Sequence, residues 1–208
     1  MIYGVIGKLY DPRQIFDDEI IAGNGKTLTI VYYGKLSADD GREVITNFKT
    51  SFSTYMTAQE ILNGFFDREN VFYGLSEVQK FLNSVGKSTS IKAWVEGLVS
   101  QRRKLQVDIM WDSQRLMSVD NRFREHTGRY YIPRKFHKDD GTYCNHEDCP
   151  RSHIVKVFSE KPFVIEPVAE IDAEYYGQFY NTNEIVRDDV SQPGHRSERK
   201  RRSRAEAI

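Results

Sequence analysis

The sequence predicts an α/β fold on a mostly parallel sheet, and three observations carry that prediction. Short apolar runs at 2–6, 70–75 and 106–111 have the unbroken hydrophobicity of strands covered on both faces. Segments of helical character lie between such runs, and alternating strands and helices build parallel units with right-handed crossovers. A glycine-rich turn, Gly23-Asn24-Gly25-Lys26-Thr27, stands where a first strand would hand over to a first helix.

The elements follow in order. IYGVI is the first strand, and the segment from Lys26 to about Leu36 becomes the first helix because it follows the GKT turn. Glu43–Phe48 reads as the next strand. Thr57-Ala58-Gln59-Glu60 is a capping box that opens a helix running to Phe66. A strand over 70–75 leads through Ser76-Glu77 into a helix over 78–83, and a Gly/Ser/Thr loop fills 84–90. Ile91, Trp94, Val95, Leu98 and Val99 repeat at helical spacing within 91–104, before the strand QVDIMW. Past Tyr131 the texture changes, and 134–153 reads as a polar loop that holds both cysteines. Strand character returns at 154–158 and again at 163–170.

Residues 1–186 therefore read as one domain, and 187–208 as a basic, disordered tail. With 39% hydrophobic and 12% aromatic residues the chain can bury a sizeable core, which excludes overall disorder. Lys and Arg number 30 and Asp and Glu 30, so net charge selects no partner. The N-terminus has no secretory pattern and no stretch is apolar for long enough to span a bilayer, so a cytoplasmic protein is expected. Two cysteines are too few for a disulfide framework.

The GKT turn has the chemistry of a phosphate loop. Glycines let backbone N–H groups close around phosphate oxygens, lysine reaches the outer phosphates, and the hydroxyl ligates magnesium. Read contiguously the motif is broken, because Ile20 stands where its first glycine belongs. Splicing Gly7-Lys8-Leu9 onto Gly23-Asn24-Gly25-Lys26-Thr27 yields a complete GxxxxGKT after the first strand, with 10–22 as an insertion. The alternative is an ordinary turn between strands. Farther on, VFYGLSEVQ occupies the place of the acidic motif that holds magnesium and activates water. Glu77 is in the base position, but Ser76 stands where aspartate is expected. Gln114, after VDIMWDS, is placed to sense a terminal phosphate. Arg102 and Arg103 end a basic helix and are candidates for an arginine finger reaching a neighbouring subunit, or for cations that simply suit a helix C-terminus.

SEVQKFLNS, with SQRRKLQVDIMWDSQRLMSVDNRFREHTGRYY, resembles the core of the FtsK/HerA-type P-loop ATPases. It is most similar to their zonula-occludens-toxin-like (Zot-like) branch, found in phages and in archaeal viruses and mobile elements. The likeness spans roughly 1–186 and includes a D-x-R-x-R segment at Asp120, Arg122 and Arg124. It implies a RecA-like core, ATP and magnesium, a ring of identical subunits, and work on DNA such as translocation, packaging or virion assembly, with virion or secretion components as partners. By position it makes Gly7, Gly23, Asn24, Gly25, Lys26, Thr27 and Ser76 the nucleotide site, Glu77 the base and Gln114 the sensor. Interrupted loop and serine together leave a second expectation: a degenerate P-loop protein that binds DNA or assembles without hydrolysis. A metabolic kinase is a third and weaker one, since no acceptor or lid motif stands out.

Cys144, His146, Cys149 and His153 fall within ten residues, with His137 just upstream. Cys144, Cys149 and His153, completed by His137 or His146, would supply the four N/S ligands of a structural zinc; two buried thiols in an irregular loop are the alternative. The stretch HRSERKRRSR at 195–204 suits phosphate neutralisation on DNA.

Overall fold

The computed structural model describes residues 1–6, 25–64, 67–82, 96–97, 101, 103–114, 116–146, 149–161 and 164–181. The strands are β1 (Ile2–Ile6), β2 (Glu43–Thr46), β3 (Thr54–Tyr55), β4 (Val71–Leu75), β5 (Asp108–Ser113), β6 (Arg129–His137), β7 (His153–Lys161) and β8 (Val164–Asp172). They form one sheet in the order β3-β2-β4-β5-β1-β6-β7-β8. The first six strands pair in parallel, while β7 and β8 extend the sheet as an antiparallel hairpin.

Alternation along the central strands divides the core between the two faces of the sheet. Val44, Phe72 and Met110 share one face with Leu28, Ile30 and Val31 of helix α1 (Lys26–Asp39). Ile45, Tyr73, Ile109 and Trp111 pack on the other face with Ile61, Val78, Leu82 and Phe123. Helix α1 lies close against the sheet because β4 has a glycine beneath it. A Cβ added at Gly74 would sit 2.7 Å from Ile30 Cγ2 and 2.9 Å from Thr46 Cγ2.

The capping box forms as expected. Thr57 N–H donates to Glu60 Oε2 at 2.7 Å, and Glu60 N–H donates to Thr57 Oγ1 at 3.3 Å, at the start of helix α2 (Ala58–Gly64). Two expectations are corrected. Over 78–82 the expected helix is a single 3₁₀ turn, Val78–Lys80, entered from a left-handed Glu77 (φ 57°), a conformation that a right-handed helix cannot continue. The short strand β3 is not anticipated from the sequence; it follows β2 through turns such as that of Thr50 Oγ1 with Ser53. Residues 134–137 are not loop but the end of β6, whose pairing with β7 runs to His137 opposite His153. The helix expected over 91–104 falls mostly outside the described residues, as does the basic tail.

Candidate nucleotide and metal sites

The carboxyl ends of parallel strands are where open α/β sheets bind ligands, and the residues singled out from the motifs gather there. Gly25 takes a left-handed conformation (φ 83°) immediately before α1, and its carbonyl accepts Thr29 N–H at 2.9 Å and Thr29 Oγ1 at 2.8 Å. Its missing side chain matters, because a Cβ there would sit 2.9 Å from Val155 Cγ2. Lys26 and Thr27 thus form the first turn of the helix, whose N-terminal dipole and N–H groups favour anions. Gly7, Gly23 and Asn24 lie outside the described residues. Strand β1 ends at Ile6 opposite Ser113, next to Asp112, and Thr27 Oγ1 donates to Asp112 Oδ2 at 3.1 Å. Ile6 and Gly25, the described residues that flank 7–24, therefore lie at the same end of the sheet.

Asp112 is the centre of the cluster, and the motif reading passed over it. Ser76 Oγ donates to its Oδ2 at 3.1 Å, and Glu77 N–H donates to its Oδ1 at 2.8 Å. Only 1% of Asp112 is exposed. Burial pushes its carboxyl up to about 6; the Glu77 charge adds to this, while the Glu77 N–H, the Lys26 ammonium and the Ser76 hydroxyl oppose it. The signal that could have found it was a carboxylate at the tip of the strand beside the serine.

Glu77 is held from several sides. Gln114 Nε2 and Gln79 Nε2 each donate to one of its oxygens at 2.9 Å, and Lys80 Nζ lies 3.9 Å away. Glu77 and Gln114, expected separately as base and sensor, are thus joined by a hydrogen bond. Asn47 fixes the backbone at Ser76 through both ends of its amide. Arg103 is exposed and Arg102 lies outside the described residues. The D-x-R-x-R segment has a local role: Asp120 caps the helix Asn121–Glu125 and pairs with Arg122 at 2.8 Å, while Arg124 Nε donates to the Val119 carbonyl.

The cysteine–histidine cluster sits at the loop end of the β6–β7 hairpin, where His137 pairs with His153. Ligand atoms of His137, Cys144, Cys149 and His153 all lie within 4.8 Å of one another. Bonds of ~2.0–2.3 Å to a tetrahedral zinc would set such atoms roughly 3.3–3.8 Å apart, so a small contraction completes the shell. Cys149 Sγ is 3.4 Å from His137 Nε2, and His153 Nε2 is buried with no hydrogen-bond partner. Burial lowers the pKa of His153, with help from the Lys135 charge, and so favours the neutral, ligating ring. The His146 ring is not in the set; its carbonyl accepts the Lys135 ammonium instead.

A mostly parallel sheet flanked by helices, with a left-handed glycine and lysine–threonine starting a helix beside a strand-tip carboxylate, is the architecture expected of a P-loop NTPase fold. The N-terminal domain of zonular occludens toxin from Neisseria meningitidis has a similar structure, with a TM-score of 0.53 at 15% identity over 86% of this chain and 98% of that one. The genome packaging NTPase B204 from Sulfolobus turreted icosahedral virus 2, in complex with ATP-gammaS, scores 0.47 at 9% identity over 78% of this chain and 97% of that one. No protein-family model and no curated protein matches the sequence. At this identity the likeness to the zonular occludens toxin domain shows the fold alone, the one expected from the Zot-like resemblance. No helix among the described residues is long and apolar enough to cross a membrane.

Proposed function

We propose that this chain is an ATP-binding, ATP-hydrolysing subunit of a DNA translocation, packaging or virion-assembly machine of the Zot-like kind. The observation that carries this proposal is the hydrogen-bonded cluster of Thr27, Ser76, Glu77, Asp112 and Gln114 at the sheet end where α1 begins. Its oxygen donors suit magnesium, which needs few protein ligands and keeps most of its water. Gly7, Gly23, Asn24 and Gly25 would wrap the phosphates, Lys26 would contact their outer oxygens, and the Thr27 hydroxyl would meet the metal. Magnesium, when bound, neutralises charge that develops on the phosphate oxygens. Glu77 would take the proton of the attacking water, and Gln114 would hold Glu77 in register with the terminal phosphate.

Identical subunits in a ring would allow Arg102 or Arg103 to reach a neighbour's nucleotide, and the basic segment 195–204 would neutralise DNA phosphates. Residues 1–186 act as the ATPase domain in this account. A zinc held by His137, Cys144, Cys149 and His153 would be structural, since four protein ligands leave no open position. DNA-stimulated ATP hydrolysis, abolished by Lys26→Ala and by Glu77→Gln, is the expected result. The second reading, a non-hydrolysing assembly or DNA-binding module, is favoured by Ser76 and by the insertion at 10–22. ATP binding without Glu77-dependent turnover would select it.

A further inference from the structure

The strand tip at residue 76 lacks its carboxylate, yet one stands beside it. Strands β4 and β5 run parallel with Leu75 opposite Trp111, so Ser76 and Asp112 are the next residues past that pair on neighbouring strands. Alternation places both on the sheet face of Phe72 and Met110, which is the face that α1 covers. Neighbouring strands lie about 4.8 Å apart, a distance that the reach of an aspartate side chain largely offsets. Asp112 Oδ2 accepts both the Ser76 hydroxyl and the Thr27 hydroxyl at 3.1 Å, and the two hydroxyls lie 3.5 Å apart.

The surroundings of Asp112 point to a cation. Its hydrogen-bond donors among the described residues are two neutral hydroxyls and one backbone N–H, and the Lys26 ammonium acts on it only from beyond ion-pair distance. A carboxylate buried in this way is costly unless a positive partner completes it. Thr27, the hydroxyl that a phosphate loop offers to magnesium, already binds the same oxygen.

We propose that Asp112 is the carboxylate that holds the metal of the metal–nucleotide complex, filling from β5 the place that Ser76 leaves empty on β4. This rests on the nucleotide-binding reading above and removes its main objection, because the negative charge is moved by one strand and not lost. The serine then becomes a donor that orients the aspartate.

The test uses the full chain, mant-ATP as nucleotide probe and Mn²⁺ as metal probe, with bound Mn²⁺ followed by electron paramagnetic resonance. Asp112→Asn should weaken Mn²⁺ binding to the nucleotide complex by about 10- to 100-fold, well beyond any change in metal-free mant-ATP binding. The exchange variant Ser76→Asp/Asp112→Ser should recover most of that loss. Unchanged Mn²⁺ affinity in Asp112→Asn overturns the proposal. So does an exchange variant that remains as weak, which would assign Asp112 to bracing Thr27 and Glu77. If Asp112→Asn fails to fold, the exchange variant decides alone. A wild-type chain that binds no mant-ATP overturns this inference together with the nucleotide reading. Nucleotide binding with Mn²⁺ affinity indifferent to residue 112 overturns this inference only.

Discussion

Asn47 holds Ser76 by both ends of one amide: its Nδ2 donates to the Ser76 carbonyl at 2.8 Å, and its Oδ1 accepts Ser76 N–H at 2.7 Å. Both residues are buried, so the end of β2 fixes the tip of β4 where the cluster begins. Asn47→Ala strands a buried N–H and a carbonyl and should destabilise the fold by about 1–3 kcal/mol per group left unpaired. Urea unfolding checks this; a loss below a few tenths would mean that the clamp is replaced by water.

Helix α1 depends on the absence of a side chain at residue 74. Gly74→Ala puts a methyl group 2.7 Å from Ile30 Cγ2 and must shift the helix or its side chains. A loss of about 1–3 kcal/mol is expected for this overpacking. Because Thr27 stands on the same helix, ATP affinity should fall as well; wild-type melting and affinity in Gly74→Ala would contradict the packing account.

Much of this architecture was legible in the sequence, because buried strands and a GKT turn leave strong local signals. Strand β6 shows where that ends. Arg134 and Lys135 read as loop, but β6 pairs with β1 at Arg129, Tyr130 and Tyr131, and between that pairing and the bridge of Phe136 with Tyr143 this side of the strand has no partner strand among the described residues. Proline and charge are tolerated on such an edge. Asp112 was hidden for another reason: a motif read along one strand cannot show that the next strand brings a carboxylate alongside it. His137 and His146 were equal candidates by spacing, and only the hairpin register, His137 opposite His153, separates them.

The zinc proposal has a direct consequence. Purified protein should carry about one equivalent of zinc by elemental analysis, as expected for four tetrahedral ligands. Cys144→Ser and His153→Ala should each lose it and melt at lower temperature, while His146→Ala should retain it. Zinc below half an equivalent in the wild type would refute the site.

Asp120 links the D-x-R-x-R segment to acid stability. Its hydrogen bonds with Arg122 hold the carboxyl below the usual aspartate range. A depressed native pKa contributes stability that is present above the unfolded value of about 3.9 and is lost as pH falls through the native one. Asp120→Asn should therefore narrow the gap to wild type below pH 4. Asp120→Ala, which also removes the helix cap, should cost about 0.5–2 kcal/mol at pH 7. An equal deficit for Asp120→Asn at pH 7 and pH 2.5 would contradict the charge contribution.

The central claim is that the N-terminus of α1, with Lys26 and Thr27, binds a nucleotide's phosphates. An ATP titration by calorimetry, with and without magnesium, tests it on wild type and Lys26→Ala. Saturable binding that tightens with magnesium and is lost in Lys26→Ala is the predicted result; no binding, or binding indifferent to Lys26, would contradict the account.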